Sequence, residues 1–244
     1  MARALARGWG EPVLVSDSGS GSGRAQALAA EVGGEALASN LALAERAELV
    51  VLCHKPAQLH LIAGEIAPAA RAVLSVLGGV NTAALQEAYA ATPLVRAMPN
   101  TPVEVRRGVV CYSVPPETPA EFESEVRSLL ERLGTAVKIE ERLMPAATAV
   151  TGVGPAYGAL VAEAQVDAAV RHGLPPSLAG SLVAETMAGT AALLEVRGYD
   201  TLRVRREVTS PGGGTARGLA ALERGGLRSA FQDASDALLG WSSS

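Results

Sequence analysis

Val208-Thr209-Ser210-Pro211-Gly212-Gly213-Gly214-Thr215 holds the chain's clearest chemistry. A hydroxyl pair and a proline lead into three glycines, and Thr215 then opens a helix expected over residues 216–224, with Leu219 and Leu222 on one face. Glycines let a backbone approach a ligand closely, and unpaired N–H groups at a helix start favour an anion. A small carboxylate or a phosphate suits such a cradle; a tight connection between two helices suits it equally. The elements around it have to decide.

Ahead of this stretch, short apolar runs alternate with helical segments. Strands are expected at 13–15, 49–53, 72–77, from 94, at 109–112 and at 135–139, with helices at 1–8, 24–32, 56–66, 82–90 and 119–133. The pattern predicts a doubly wound α/β fold with a parallel sheet covered on both faces. From Leu143 onward no strand is expected. Ala/Leu-rich helices are broken at Gly152-Val153-Gly154-Pro155, Gly173-Leu174-Pro175-Pro176 and Arg197-Gly198. Segments 156–172 and 177–196 are apolar on more than one face, which points to a second, helical domain that pairs with another chain. The division expected is 1–142 for the α/β domain and 143–244 for the helical one.

In an open parallel sheet, ligands bind beyond the carboxyl ends of the strands. That selects Ser16-Asp17-Ser18, His54-Lys55-Pro56, Gly78-Gly79-Val80 and Met98-Pro99-Asn100-Thr101-Pro102. Asp17 stands where a nucleotide-binding unit places an acid for ribose hydroxyls; Arg24 or the serines would instead meet a 2′-phosphate. Gly19-Ser20-Gly21-Ser22-Gly23 follows the wrong strand for a Gly-x-Gly-x-x-Gly loop and reads as a surface turn. The Ser242-Ser243-Ser244 tail reads as frayed.

Composition narrows the classes. With 48% hydrophobic and 19% charged residues the chain is globular, and a net charge of −4 gives no reason to expect nucleic acid as partner. Cys53 and Cys111 sit in apolar runs and read as reduced, buried thiols. His60 and His172 lack partners at ligand spacing, so no metal site is expected. No nucleophile elbow follows a strand, which argues against a Ser-His-Asp hydrolase. No apolar run reaches the roughly 18 residues a membrane span needs, and no signal peptide is seen, so a cytoplasmic location without a membrane partner is expected.

Three blocks together resemble pyrroline-5-carboxylate reductases: Arg96-Ala97-Met98-Pro99-Asn100-Thr101-Pro102, Gly152-Val153-Gly154-Pro155-Ala156-Tyr157 and 208–215. Cys53-His54-Lys55-Pro56 is similar to that family's Ala-Val-Lys-Pro loop. The resemblance implies a Rossmann-like domain for NADPH or NADH, followed by a helical domain that forms a homodimer, in some members within a ring of dimers. It implies reduction of 1-pyrroline-5-carboxylate to L-proline, the last step of proline synthesis. On the same footing Gly212, Gly213 and Gly214 hold the substrate carboxylate, with Val208 and Ser210 beside them, and Thr215 hydrogen-bonds the ring nitrogen. Ser18, Asn40, Cys53, His54, Lys55, Pro56, Leu77, Gly78 and Gly79 line the dinucleotide.

Three departures from the family's pattern carry expectations. The family opens with a strand and a Gly-rich turn, and the resemblance sets Met1 at the end of that turn, so the first strand and the pyrophosphate loop are expected to be missing. Two strand edges would then be unpaired, and the 244-residue chain is expected to bind NAD(P)H poorly. Gly214 replaces the Thr or Ala of many members, and His54 replaces a small apolar residue. Two other readings are a related imine or β-hydroxyacid reductase and a non-catalytic dimerising remnant. The first is disfavoured because the lysine such hydroxyacid enzymes use in the helical domain is absent: the only lysines are Lys55 and Lys138.

Overall fold

The computed structural model describes residues 1–17, 23–90 and 92–241. Ser18, the remainder of the run Gly19–Ser22 and the tail Ser242–Ser244 lie outside the described residues. Two compact units are formed, Met1–Pro155 and Ala156–Ser244.

The first unit begins with helix α1 (Ala2–Trp9), closed by Gly10 in the left-handed conformation at φ 67°. It packs against the 3-10 turn Thr101–Val105. Gly8 makes that approach possible, since a Cβ there would lie 2.2 Å from the Val103 carbonyl oxygen. Strand β1 (Leu14–Val15), helix α2 (Arg24–Val32) and strand β2 (Glu35–Ala36) follow, β1 pairing β2 in parallel. Helix α3 (Asn40–Arg46) starts from Ser39, whose hydroxyl accepts the Ala42 N–H.

The main sheet is built from β3 (Val50–Leu52), β4 (Val73–Ser75), β5 (Leu94–Pro99), β6 (Gly108–Ser113) and β7 (Gly134–Lys138), in that spatial order. Helices α4 (Leu59–Ile66), α5 (Thr82–Ala88) and α6 (Ala120–Glu131) connect its strands. Successive residues of β4 and β5 feed opposite faces. Val73 and Leu94 join Val50, Leu52, Ile62, Leu85 and Tyr89 on one side, whereas Leu74 and Val95 join Leu5, Val110, Tyr112, Val126 and Leu130 on the other. Burial on both faces is why these strands read as unbroken apolar runs.

One pairing departs from an all-parallel sheet: β5 and β6 run antiparallel, with Met98 opposite Cys111. The link between them is the 3-10 turn at 101–105, too short for the crossover that a parallel return needs. Asn100 fixes it, its side-chain oxygen accepting the Val109 N–H at 2.9 Å. The strand β2 was not foreseen at all. Among the described residues the two sheets are separate, with β1 and β2 as the edges of one and β3 and β7 as the edges of the other.

Tyr89 is 1% exposed, its hydroxyl has no hydrogen-bond partner among the described residues, and burial pushes its pKa up to about 12. Leaving a buried hydroxyl unpaired costs folding free energy, so Tyr89→Phe is expected to raise stability by about 1 kcal/mol in urea melts at pH 7. The folded-state pKa lies above the unfolded one, so the phenol's contribution is intact below about pH 10 and is lost as pH rises toward 12. That alkaline loss should be absent from the phenylalanine variant.

Helix α7 (Met144–Thr151) follows β7 and packs on β5 and β6, with Met144 fully buried. The second unit is all helical: α8 (Gly154–Arg171), α9 (Pro176–Val196), α10 (Thr201–Glu207), α11 (Gly214–Arg224) and α12 (Leu227–Trp241). Tyr157 and Phe231 meet edge to face at 6.2 Å. Large apolar side chains stand outside, among them Leu160, Leu178, Leu182, Leu222 and Phe231. Helix α9 has the length and, at mean hydropathy 1.3, the apolarity of a membrane span, with 11% of that stretch buried. This corrects the expectation that no segment qualifies: threonines and serines interrupt the run without lowering its mean enough.

Candidate active site

A cavity of about 950 Å³ runs between the facing edges of β1 and β3, with Leu14, Val15, Val50 and Leu52 along its walls, and reaches the carboxyl ends of both strands. Asn40, Cys53, His54 and Lys55 line it, together with Ser16, Asp17 and Arg24. Asn40 is held from both sides: its side-chain oxygen accepts from Ser16 Oγ at 2.8 Å, and its amide nitrogen donates to Glu65 Oε2 at 2.8 Å. Asp17 and Arg24, read as alternatives in the sequence, form an ion pair at 2.8 Å.

Burial pushes the Cys53 thiol up to about 11, so this sulfur is a packing group and not a nucleophile. His54 Nδ1 lies 2.9 Å from the Lys55 carbonyl oxygen, and its buried Nε2 has no hydrogen-bond partner among the described residues. Pro56 opens a 3-10 turn that Gln58 closes by donating its N–H to the Lys55 carbonyl. Pro56, Leu77, Gly78 and Gly79 do not line this cavity. Leu77 is 2% exposed with its side chain in the core, so only its backbone is available to a ligand. Gly78 and Gly79 are exposed beyond β4, and Gly79 has φ +76°.

A carboxylate absent from the sequence reading stands behind that loop. Glu141 accepts from Arg96, Ser113 and the Thr82 N–H, the last at 3.1 Å. Burial pushes its pKa up, but the Ser113 hydroxyl, the Thr82 N–H and Arg96 together outweigh burial and hold it below the usual carboxylate range. A lowered folded-state pKa means stability that is present above the ordinary value of 4.5 and lost as pH falls through the folded one. The thermal midpoint should therefore drop below about pH 4.5, and Glu141→Gln should flatten that part of the curve.

In the second unit Arg205 and Arg206 end α10, and the Thr209 hydroxyl closes it on the Arg205 carbonyl at 2.6 Å. The Gly213 N–H turns back to the Ser210 carbonyl at 3.1 Å, and Arg217 holds the Gly212 carbonyl at 2.8 Å. Gly212 has φ +69°, which glycine adopts freely. Helix α11 starts at Gly214, two residues earlier than the expected 216, and Gly213 provides no side-chain cap. The Gly213 N–H is thus engaged within the turn. The N–H groups of Gly214, Thr215 and Ala216 are the first-turn donors that no helix satisfies internally. Val208 is exposed beside them. Ala216 was missed because its donor is backbone and its side chain carries no signal.

Residues 141–242 match the family described as pyrroline-5-carboxylate reductase dimerisation. The pyrroline-5-carboxylate reductase of Thermus thermophilus is 36% identical over 236 residues, which cover 96% of this chain and 88% of that protein. The chain belongs to the pyrroline-5-carboxylate reductase family. The Synechocystis enzyme is 35% identical over 80% of this chain and 74% of its own. Among solved structures, the Streptococcus pyogenes enzyme superposes with a TM-score of 0.88 at 26% identity, covering 99% of this chain and 94% of that one. The Plasmodium falciparum pyrroline carboxylate reductase with NADP bound gives 0.85 at 27%, covering 98% and 92%. A 3-hydroxyisobutyrate dehydrogenase at 14% identity and TM-score 0.51 shares the fold alone.

Proposed function

We propose that this chain is an NAD(P)H-dependent oxidoreductase that reduces 1-pyrroline-5-carboxylate to L-proline, the closing step of proline biosynthesis. The observation that carries the reading is 36% identity to a pyrroline-5-carboxylate reductase along 96% of the chain. The 208–215 cradle supports it with the right chemistry: three backbone donors and one hydroxyl on adjacent residues.

Asn40, Cys53, His54, Lys55, Pro56, Leu77, Gly78 and Gly79 are the residues we assign to the dinucleotide. Four of them, Asn40, Cys53, His54 and Lys55, line the cavity, and His54 Nε2 is without a hydrogen-bond partner among the described residues; Pro56, Leu77, Gly78 and Gly79 stand outside it, and a Cβ on Gly78 would meet nothing within 4 Å. When bound, the cofactor supplies the hydride. This chain supplies position and charge. The Gly214, Thr215 and Ala216 N–H groups bind the substrate carboxylate at the positive end of α11, with Gly212, Gly213 and Ser210 shaping the turn and Val208 flanking it. The Thr215 hydroxyl hydrogen-bonds the ring nitrogen. The imine would react protonated on its nitrogen: hydride would add to the C=N carbon, the π pair would return to nitrogen as a lone pair, and the proton already there would become the N–H of proline.

The chain forms a homodimer through its helical unit, which explains why α9 leaves so apolar a surface outside the subunit. We further propose a cytoplasmic location, no membrane partner for α9 and, beyond the dimer, a ring of dimers; light scattering and flotation with vesicles test the last two. The activity test follows NADPH and NADH oxidation at 340 nm. Turnover dependent on 1-pyrroline-5-carboxylate is expected, with proline as product; oxidation of a 3-hydroxy acid in its place would overturn the reading.

A further inference from the structure

We propose that Glu141 is a positioning residue for cofactor binding: held by Arg96 and Ser113, it fixes the downstream end of the Gly78–Gly79 loop through the Thr82 N–H. The inference rests on the assignment of that loop to the dinucleotide.

The loop needs such a tie. Its upstream end is secured by the sheet, where Ser75 and Leu77 are buried. Gly78 and Gly79 then follow, both exposed, and a side chain at either would meet nothing within 4 Å. Two consecutive glycines give the backbone the widest choice of conformations, so its geometry depends on what holds the residues after them. Val80 is buried, Asn81 accepts the Ala84 N–H at 2.8 Å, and Thr82 donates to Glu141 at 3.1 Å. The Asn81 contact is local to α5, while Val80 packs in the apolar cluster with Val50, Leu52 and Val73 of the sheet. Glu141 adds the hydrogen bond that ties the Thr82 backbone to Arg96 and Ser113 of the sheet.

The carboxylate is itself held from the sheet by Arg96 and Ser113. Arg96 lies in register with Ser75 on β4 and Ser113 on β6, and its side chain is 8% exposed. Glu141 arrives along β6, since the Ile139 N–H bonds the Tyr112 carbonyl at 2.9 Å, and fully buried Met144 pins the segment just beyond. A buried guanidinium without a counter-charge is costly, so the pair also stabilises the sheet. The Thr82 bond is what the loop gains beyond that.

Thr82→Pro separates the two roles. Thr82 is the first residue of α5, where proline is tolerated, and Asn81 at φ −87°, ψ 169° already has the extended conformation required before proline. The variant loses one N–H and leaves Arg96, Ser113 and Glu141 in place. The expected result is a KM for NAD(P)H raised roughly five- to tenfold, as for loss of one hydrogen bond to a charged group, with KM for the imine within about twofold and the thermal midpoint retained. Glu141→Gln should raise the same constant; it provides the readout if the proline variant does not fold. A cofactor KM within about twofold of the parent in either folded variant overturns the proposal. Gly78→Val tests the underlying assignment: if it leaves cofactor KM unchanged, the loop does not touch the dinucleotide and both readings fall. If it weakens binding while Thr82→Pro does not, only the role of Glu141 falls.

Discussion

Thr215→Ala is expected to lower kcat on the order of a hundredfold while leaving substrate KM within a few-fold. The split follows from what each group on α11 does. The carboxylate is charged in substrate and product alike, so its N–H donors act equally along the reaction. The ring nitrogen changes: it takes up the π pair as hydride arrives at the neighbouring carbon. A hydroxyl both donates and accepts, and Thr215 stands exposed in the first turn of α11, beside the donors assigned to the carboxylate. Its bond to nitrogen therefore counts most while the charge there is changing. Thr215→Ser keeps the hydroxyl and should recover most of the rate, whereas lost shape alone would not be repaired by serine. An unchanged kcat in the alanine variant would remove Thr215 from the chemistry.

The ends of elements were legible where glycine and proline punctuate the chain. Gly10 closes α1 at φ 67°, Pro176 opens α9 and the 208–215 turn separates α10 from α11, all at or within a residue or two of the expected places. The sheet's inner strands were legible because burial on both faces leaves unbroken apolar runs. Strand β2 was not, because it has two residues, Glu35 and Ala36, and an exposed edge position gives no pattern. The antiparallel β5–β6 pairing was also hidden: it depends on how tightly Asn100 folds the intervening turn, not on either strand's composition.

The candidate site divides in the same way. Glycine-rich turns and loops after strands announce themselves, since their backbones need special residues. Side-chain networks closed by the fold do not. Glu141 lies far along the chain from Thr82, Arg96 and Ser113, and nothing in its local sequence, Ile139-Glu140-Glu141-Arg142, sets it apart from a solvated charge. The Ser16–Asn40–Glu65 chain is equally invisible before three separate elements are folded together.

Gly214→Pro should raise substrate KM roughly 10- to 100-fold with the helix intact, the equivalent of one hydrogen bond to a carboxylate. Gly214 is the first residue of α11, so its N–H is one that the helix leaves free and that proline lacks. Gly213 has φ −69° and ψ 175°, an extended conformation that proline accepts before it. A Cβ at Gly214 would meet nothing within 4 Å, so the substitution brings no clash. The same openness supplies the control. Gly214→Ala retains the N–H and restricts the unfolded chain, so it should leave substrate KM unchanged and cost no stability. The two variants differ in that donor, and comparing their substrate KM values reads its contribution. If proline and alanine give the same KM, the Gly214 N–H does not meet the carboxylate, and the cradle must be assigned to Thr215 and Ala216 alone.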